Sequence, residues 1–317
     1  MPTLTSAEIF ERAREAAKLS SHCRLCPRSC GVNRISGEIG FCSAGPQPVV
    51  ASLLPHFGEE PPLTGPEGAG TIFFSGCNMR CVYCQNHQIS QGGTGHPISP
   101  ERLSQKILDL QRLGCCSLEP VSPSHHLPGF LMAVAEAIAK GMTLPIVYNT
   151  NGYESPETLE LLDGIVDVYL PDLKYASAAQ AARYSATPDY VEIARAAILM
   201  MHSQVGNLIV DVEGRAMRGV IIRHLVLPNN LAGSWETLIW LGDNLPRDTT
   251  LSIMAQYTPL HKSSDFPLLN RAVTIQEYEE VIDYAWSQGF ENVFIQNMDS
   301  QELGVPDFSL DQPFDWN

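Results

Sequence analysis

Seven of the nine cysteines in this 317-residue chain fall within its first 84 residues, in two sets. One set is Cys77-Asn78-Met79-Arg80-Cys81-Val82-Tyr83-Cys84, a C-x3-C-x2-C spacing with no fourth cysteine nearby. Three thiolates on one tight loop can converge on three irons of a 4Fe-4S cubane. Four would saturate the cluster for simple electron transfer. Three leave one iron open, as a catalytic metal must be. An open iron takes N and O ligands from a substrate or cofactor. The second set is Cys23-x2-Cys26-x3-Cys30-x11-Cys42. Four soft ligands suit a closed tetrahedral zinc site or an auxiliary Fe–S cluster, and spacing does not decide between them. Zinc would staple a small knuckle with little core of its own. A cluster would offer an electron relay or a substrate anchor. A third reading leaves both out.

The rest of the composition narrows the setting. An odd cysteine count, short clustered spacings and no basic-then-apolar signal segment at Met1-Pro2-Thr3-Leu4 do not suit a secreted disulfide scaffold. No apolar run approaches the ~18 residues of a membrane span. A cytoplasmic enzyme is therefore expected. Lys plus Arg is 20 against 35 Asp plus Glu, a net charge of −15. That balance argues against sequence-independent nucleic-acid binding, which leans on basic residues. After Arg271 there are ten acids and no Lys or Arg. This reads as a solvated acidic face and tail in preference to a docking surface for a basic partner.

These cysteines must be positioned by the elements around them. Residues 5–20 read as a helix that Thr5 or Ser6 can cap, with Glu8 as a capping-box partner for Thr5. Residues 43–70 are rich in Pro and Gly and read as a linker with one short strand at Val49–Leu54. From Thr71 short apolar runs alternate with helical stretches. Strands are expected at 71–75, 116–121, 144–149, 167–170, 219–227, 251–256 and 292–296. Helices are expected at 100–113, 131–140, 156–162, 177–184, 190–204, 234–244 and 275–288. Such alternation implies parallel β with crossover helices. Six or seven units suit a partial or complete (β/α) barrel.

The C-x3-C-x2-C loop after the first barrel strand, with Gly76 before it and Tyr83 just before the last cysteine, resembles the radical S-adenosylmethionine (SAM) enzymes. The resemblance implies a 4Fe-4S cluster on Cys77, Cys81 and Cys84, with SAM chelating the open iron. One electron would then cleave the sulfonium to methionine and a 5′-deoxyadenosyl radical, which abstracts hydrogen. Cys23-Arg24-Leu25-Cys26-Pro27-Arg28, His56-Phe57-Gly58-Glu59-Glu60-Pro61, the Gly76–Asn86 stretch and Ala255-Gln256-Tyr257 further resemble the pyruvate formate-lyase activating enzymes of the PflX type. That likeness implies a reducing donor of flavodoxin or ferredoxin type. It also implies a glycyl-radical protein, or another peptide, as substrate.

Further SAM contacts follow from the resemblance and from the rule that barrel chemistry sits at the C-terminal strand ends. Tyr83 belongs to the cluster loop. Asn149-Thr150-Asn151-Gly152 resembles the family's Asp-Thr-Asn-Gly, with Asn149 in place of the Asp. Asp172-Leu173-Lys174 matches its Asp-x-Lys. In the family these segments help hold SAM, partly through a monovalent cation. Asn149 leaves such a site one charge poorer. The surface alternative for Asp172 and Lys174 is an ion pair worth little. Arg223 could fork onto the SAM carboxylate or make an ordinary barrel-rim ion pair. His224, one residue on, faces the other way. The usual Gly-Gly-Glu is replaced by Glu119-Pro120-Val121-Ser122-Pro123-Ser124-His125, where Ser122, Ser124 or His125 could supply an acceptor.

Other features have plainer readings. Cys115 and Cys116 point to opposite faces of a strand and read as small buried hydrophobes. His125-His126 lacks partner spacing for a metal, and Met200-Met201 reads as core. Gly92-Gly93-Thr94-Gly95 reads as a flexible loop. His56 and Glu59-Glu60 read as loop residues making local hydrogen bonds, ahead of a barrel cover or a substrate contact. The expected architecture is α/β: a radical-SAM partial (β/α)6 TIM-type barrel over 67–300, an N-terminal Cys-rich metal-binding appendage and linker over 1–66, and an acidic tail over 301–317. Two alternatives stand beside glycyl-radical activation. One is radical modification of a peptide or small metabolite. The other is a non-catalytic Fe–S or zinc electron-transfer protein.

Overall fold

The computed structural model describes residues 2–301 and 305–315. The chain opens with α1 (Ser6–Ser20), where Thr5 and Glu8 form the expected reciprocal cap. It continues through β1 (Val49–His56), α2 (Pro61–Thr64), β2 (Ala69–Phe74), α3 (His87–Ser90), β3 (His96–Pro97) and α4 (Pro100–Arg112). Then come β4 (Leu118–Val121), α5 (Leu127–Ala139), β5 (Val147–Thr150), α6 (Pro156–Leu162), β6 (Val168–Pro171), α7 (Ala178–Ser185) and α8 (Tyr190–Val205). The last elements are β7 (Ile209–Val210), β8 (Ala216–Leu225), α9 (Ser234–Asn244), β9 (Thr250–Met254), α10 (Ile275–Ser287) and β10 (Val293–Ile295).

The sheet order is β10-β9-β8-β6-β5-β4-β2-β1-β3, with β7 paired to β8 as a hairpin. Neighbours from β2 to β10 run parallel, joined by helices, as the alternating sequence requires. This is the mostly parallel sheet of a partial barrel. All seven expected strands are found as parallel strands, the last of them, the three-residue β10, at one edge. The other edge differs from the linker reading of 43–70. β1 is eight residues long and pairs antiparallel with β2, so this stretch belongs to the sheet itself. Pro61 and Pro62 open α2, where the first turn needs no N–H donor, and Pro55 lies beyond the two residues of β1 that pair with β3, on an edge that tolerates it.

Side-chain alternation sends one face of each strand inward. Toward the N-terminal strand ends, the barrel floor, Leu63 of α2 shares one buried apolar cluster with Val147, Val168, Leu170, Ala216 and Ile221. The outer face forms the main core under the helices, with Leu103, Ile107 and Leu110 of α4 among its buried residues. The acidic tail is not simply solvated. Phe308 and Phe314 pack on Phe73 of β2, with ring centroids 5.4 and 5.2 Å away. The acids of the tail stay outward while its aromatics hold it down. Residues 302–304, which include Glu302, and 316–317 lie outside the described part of that tail.

Among the described residues no helix is long and apolar enough to cross a membrane.

Candidate metal centre

β2 ends at Phe74, and the chain turns through Ser75 and Gly76 straight into the Cys77 loop. Gly76 holds φ at +87°, a conformation that costs a side chain dearly. Its Cα face is pressed against the backbone carbonyl of Cys42, too close to admit a Cβ. The Ser75 carbonyl accepts from two rings at once, the Nε2 of His125 and of His126, each at 2.9 Å. Both rings are buried. Burial holds both imidazoles in the neutral form, with His125 brought down to about 4. They are clamps for this turn. A metal role is neither needed nor suggested by their geometry.

Each sulfur of the loop has a polar neighbour from another part of the barrel mouth. Asn151, just past β5, donates from Nδ2 to Cys77 Sγ at 3.5 Å and to Asn78 Oδ1 at 2.7 Å. Ser185, the last residue of α7, donates to Cys81 Sγ at 3.0 Å. Ser90 Oγ lies 3.2 Å from Cys84 Sγ. Burial pushes the Cys77 thiol up to about 12 and the Cys84 thiol up to about 11, and Cys81 nearby adds to both. Free thiols there stay protonated at neutral pH, while a bound metal takes them as thiolates. Donors aimed at sulfur and a buried loop therefore fit an iron–sulfur cluster. Among the described residues no three His, Cys, Asp or Glu side chains are gathered closely enough to share one metal ion as they stand. A cubane does not ask that of its ligands, because each thiolate goes to its own iron.

The other expected site residues surround this loop. Tyr83 is buried, and its hydroxyl lies 2.7 Å from that of Tyr175. The Tyr175 hydroxyl in turn lies 2.7 Å from Ser185 Oγ, so Tyr83, Tyr175, Ser185 and Cys81 form one polar chain. Ser122 sits in the left-handed region (φ +47°) with its N–H on the Asn149 carbonyl at 2.7 Å. Asn149 points into the barrel and donates to Glu119 Oε1 at 2.8 Å. Thr150 donates to Glu154, as does Ser124 at 2.6 Å. Burial raises the Glu154 carboxyl to about 7 despite those hydroxyls. Asp172 and Lys174 form a part-buried pair at 2.5 Å, with Tyr190 OH bonded to the Asp172 carbonyl at 2.9 Å. Burial alone would discharge Lys174, but Asp172 and the Cys81 sulfur keep its pKa above the ordinary lysine value. The pair is thus placed beside the cysteine loop, with its two side chains only 16% and 19% exposed.

Arg223 has partners of its own. Its Nε donates to Glu60 Oε1 at 2.8 Å, and its Nη2 reaches both Glu60 and Glu59. Glu59 and Glu60 come from the loop before α2 on the barrel floor, so their role is tertiary, beyond the local bonding the sequence suggests. Burial and the nearby Glu59 hold Glu119 well above the usual carboxylate range. His224 faces outward, bonded to the Leu173 carbonyl and Ser234. Asn78, Ser90, Ser185, Tyr175 and Tyr190 carry no motif of their own. Asn151 alone had a signal, its place in the Asn149–Gly152 stretch.

Residues 71–210 match the model of the Radical SAM superfamily. The chain is 33% identical over 280 residues to the uncharacterized protein MJ0674 of Methanocaldococcus jannaschii, covering 85% of this chain and 76% of that protein. It is 23% identical over 304 residues to the uncharacterized protein MJ0808 of the same organism, covering 88% and 82%. A partial barrel with a three-cysteine loop at the C-terminal end of its first parallel strand defines the class of protein. The chain belongs to the radical SAM superfamily.

Proposed function

We propose that this protein is a radical SAM enzyme that uses SAM reductively and abstracts hydrogen from a substrate. The observation that supports it most is the cysteine loop itself. Its three sulfurs sit at the barrel mouth with polar neighbours from three separate elements, and the Asp172–Lys174 pair lies alongside. Superfamily members are enzymes, and the domain brings with it a 4Fe-4S cluster and SAM. When bound, a reduced cluster would supply the electron that cleaves the sulfonium of SAM, and SAM would supply the radical chemistry that takes a hydrogen atom from substrate.

The residues of this chain do the holding. Cys77, Cys81 and Cys84 would ligate three irons. Asn151 and Ser185 keep hydrogen bonds on the sulfurs, and such bonds tune the cluster's potential. Lys174, held charged by Asp172, would be a cation for the cofactor carboxylate. Ser122, Asn149 and Thr150 form the adjoining rim, and Tyr83 backs the loop from the core. Arg223 is engaged with Glu59 and Glu60 and serves the interior wall. The N-terminal cysteines pack behind the loop.

A substrate C–H bond on a protein fits this reading, and a glycine of a glycyl-radical enzyme is the version carried by the PflX-type resemblance. The reductant would approach a cleft of about 500 Å³ beside the loop, lined by Arg80, Val82, His87, Gln91, His261 and Lys262. Its basic groups stand out on a chain of net charge −15 and would draw an acidic flavodoxin or ferredoxin. The experiment is anaerobic. Reconstituted protein receives dithionite and SAM, and 5′-deoxyadenosine is measured against Cys84→Ala. Production by the parent and none by the variant is expected. Equal production by both would overturn the site, and none from a parent with an intact reduced cluster would overturn the activity.

A further inference from the structure

Turns bring the N-terminal cysteines onto one wall of the segment, without setting three of their sulfurs within reach of a single ion as they stand. The Cys23 N–H bonds the Val32 carbonyl at 2.9 Å, the Gly31 N–H returns to the Cys23 carbonyl at 3.1 Å, and the Ser29 N–H bonds the Cys26 carbonyl at 3.0 Å. Ser29 and Gly31 both hold positive φ, at 40° and 69°. Those turns fold the segment back on itself. Cys23, Cys26 and Cys42 are buried, and Cys30 is exposed at the rim.

Arg34 lies within this fold and is only 2% exposed. Its Nε donates to Cys23 Sγ at 3.0 Å, its Nη2 to Cys42 Sγ at 2.8 Å and its Nη1 to the His125 carbonyl at 2.9 Å. Among the described residues it has no carboxylate partner. A buried guanidinium with no anion opposite costs several kcal/mol. What it faces is a pair of sulfurs on one edge of its fork, the geometry that guanidinium usually offers to a carboxylate. A thiol is a weak acceptor, so the arrangement is stable when those sulfurs carry negative charge. Two thiolates side by side repel each other unless a metal holds them.

We propose that Cys23, Cys26, Cys30 and Cys42 bind a second, four-thiolate metal centre whose negative charge is met by Arg34. The centre lies directly behind the Cys77 loop. The Cys42 carbonyl abuts Gly76, Arg80 reaches the Phe41 carbonyl, and Arg28 Nε donates to the Asn78 carbonyl at 2.9 Å. Its existence does not depend on what Cys77, Cys81 and Cys84 hold, and the test separates the two sites.

The full chain carrying Cys77→Ala, Cys81→Ala and Cys84→Ala is purified anaerobically, and zinc, iron and sulfide are counted per chain. Either about one zinc without sulfide, or about two to four irons with matching sulfide, is the expected result, and the two distinguish the metal. Trace metal with all six remaining thiols titratable in the denatured chain, or a Cys23–Cys42 disulfide, would overturn the proposal. If that variant does not fold by circular dichroism, the parent is compared with Cys26→Ser/Cys30→Ser, and an unchanged metal count would overturn it equally. Arg34→Met should release this metal to a chelator at least about tenfold faster than the parent. Arg34→Lys should recover part of that, since it restores the charge without the fork. Equal release from Arg34→Met and the parent would remove Arg34 from the site.

Discussion

The carbonyl of Cys42 occupies the space that a side chain on Gly76 would need. One residue thus fixes the distance between the two cysteine sets, and its φ of +87° is open to glycine at little cost. Gly76→Ala should destabilise the protein by about 1–3 kcal/mol from backbone strain alone, with the collision added. A lower melting temperature and poorer iron loading are expected. Loading and melting equal to the parent would show that the two segments can separate freely.

Ser185 is the hydroxyl that ends the Tyr83–Tyr175 chain on Cys81. Ser185→Ala removes one donor from that sulfur and costs about 1 kcal/mol of stability. A donor on a cluster ligand stabilises the more negative, reduced state. The reduction potential of the barrel cluster should therefore fall, as read by an electron paramagnetic resonance titration. A potential unmoved by the change would place this hydroxyl in a packing role only.

Arg223 is held by two carboxylates from the barrel floor. Arg223→Met leaves Glu59 and Glu60 buried together without their cation, beside Glu119. Loss of about 3–5 kcal/mol is expected, visible as a lower melting temperature without SAM present. If stability holds and only SAM affinity falls, the guanidinium serves the cofactor in place of the wall.

Glu154 titrates at about 7, raised by burial from an ordinary value of 4.5. A raised carboxyl favours the folded state while it is protonated. Its stabilising effect is complete below about pH 4.5 and is lost as pH rises through 7, a change of about 3 kcal/mol. Glu154→Gln cannot ionise. The stability of the parent relative to this variant should therefore fall between pH 5 and pH 8, measured by urea midpoints. A difference independent of pH would mean that Glu154 is already charged at pH 5.

Much of the barrel was legible because its signals are local. The Thr5–Glu8 pair marks a helix start within a turn, and α6 and α9 begin and end where periodicity puts them. The two-residue strands β3 and β7 and the four-residue α2 and α3 are too short for any period to register. The sulfur loop was legible as spacing, but its hydrogen-bond partners were not. Ser185 is 104 residues from Cys81, and a lone serine at a helix end carries no pattern. Arg34 was equally hidden, and Arg223 stood out as a residue with an ion pair as one of its readings, but without its partners. What matters about each is the company it keeps, in one case two cysteines and in the other two glutamates from a proline-rich stretch.

The double grip of His125 and His126 on the Ser75 carbonyl has a thermodynamic consequence for metal loading. Ordering a residue's backbone costs about 1–2 kcal/mol, and a slack loop would charge that cost against every iron it captured. Here the take-off of the loop is set during folding, by two neutral rings on one oxygen and by the Gly76 N–H on the Ile89 carbonyl at 3.0 Å. The site is preorganised, so metal affinity is spent on bonds instead of on ordering. Loss of the cluster should then leave a standing cradle that can be refilled.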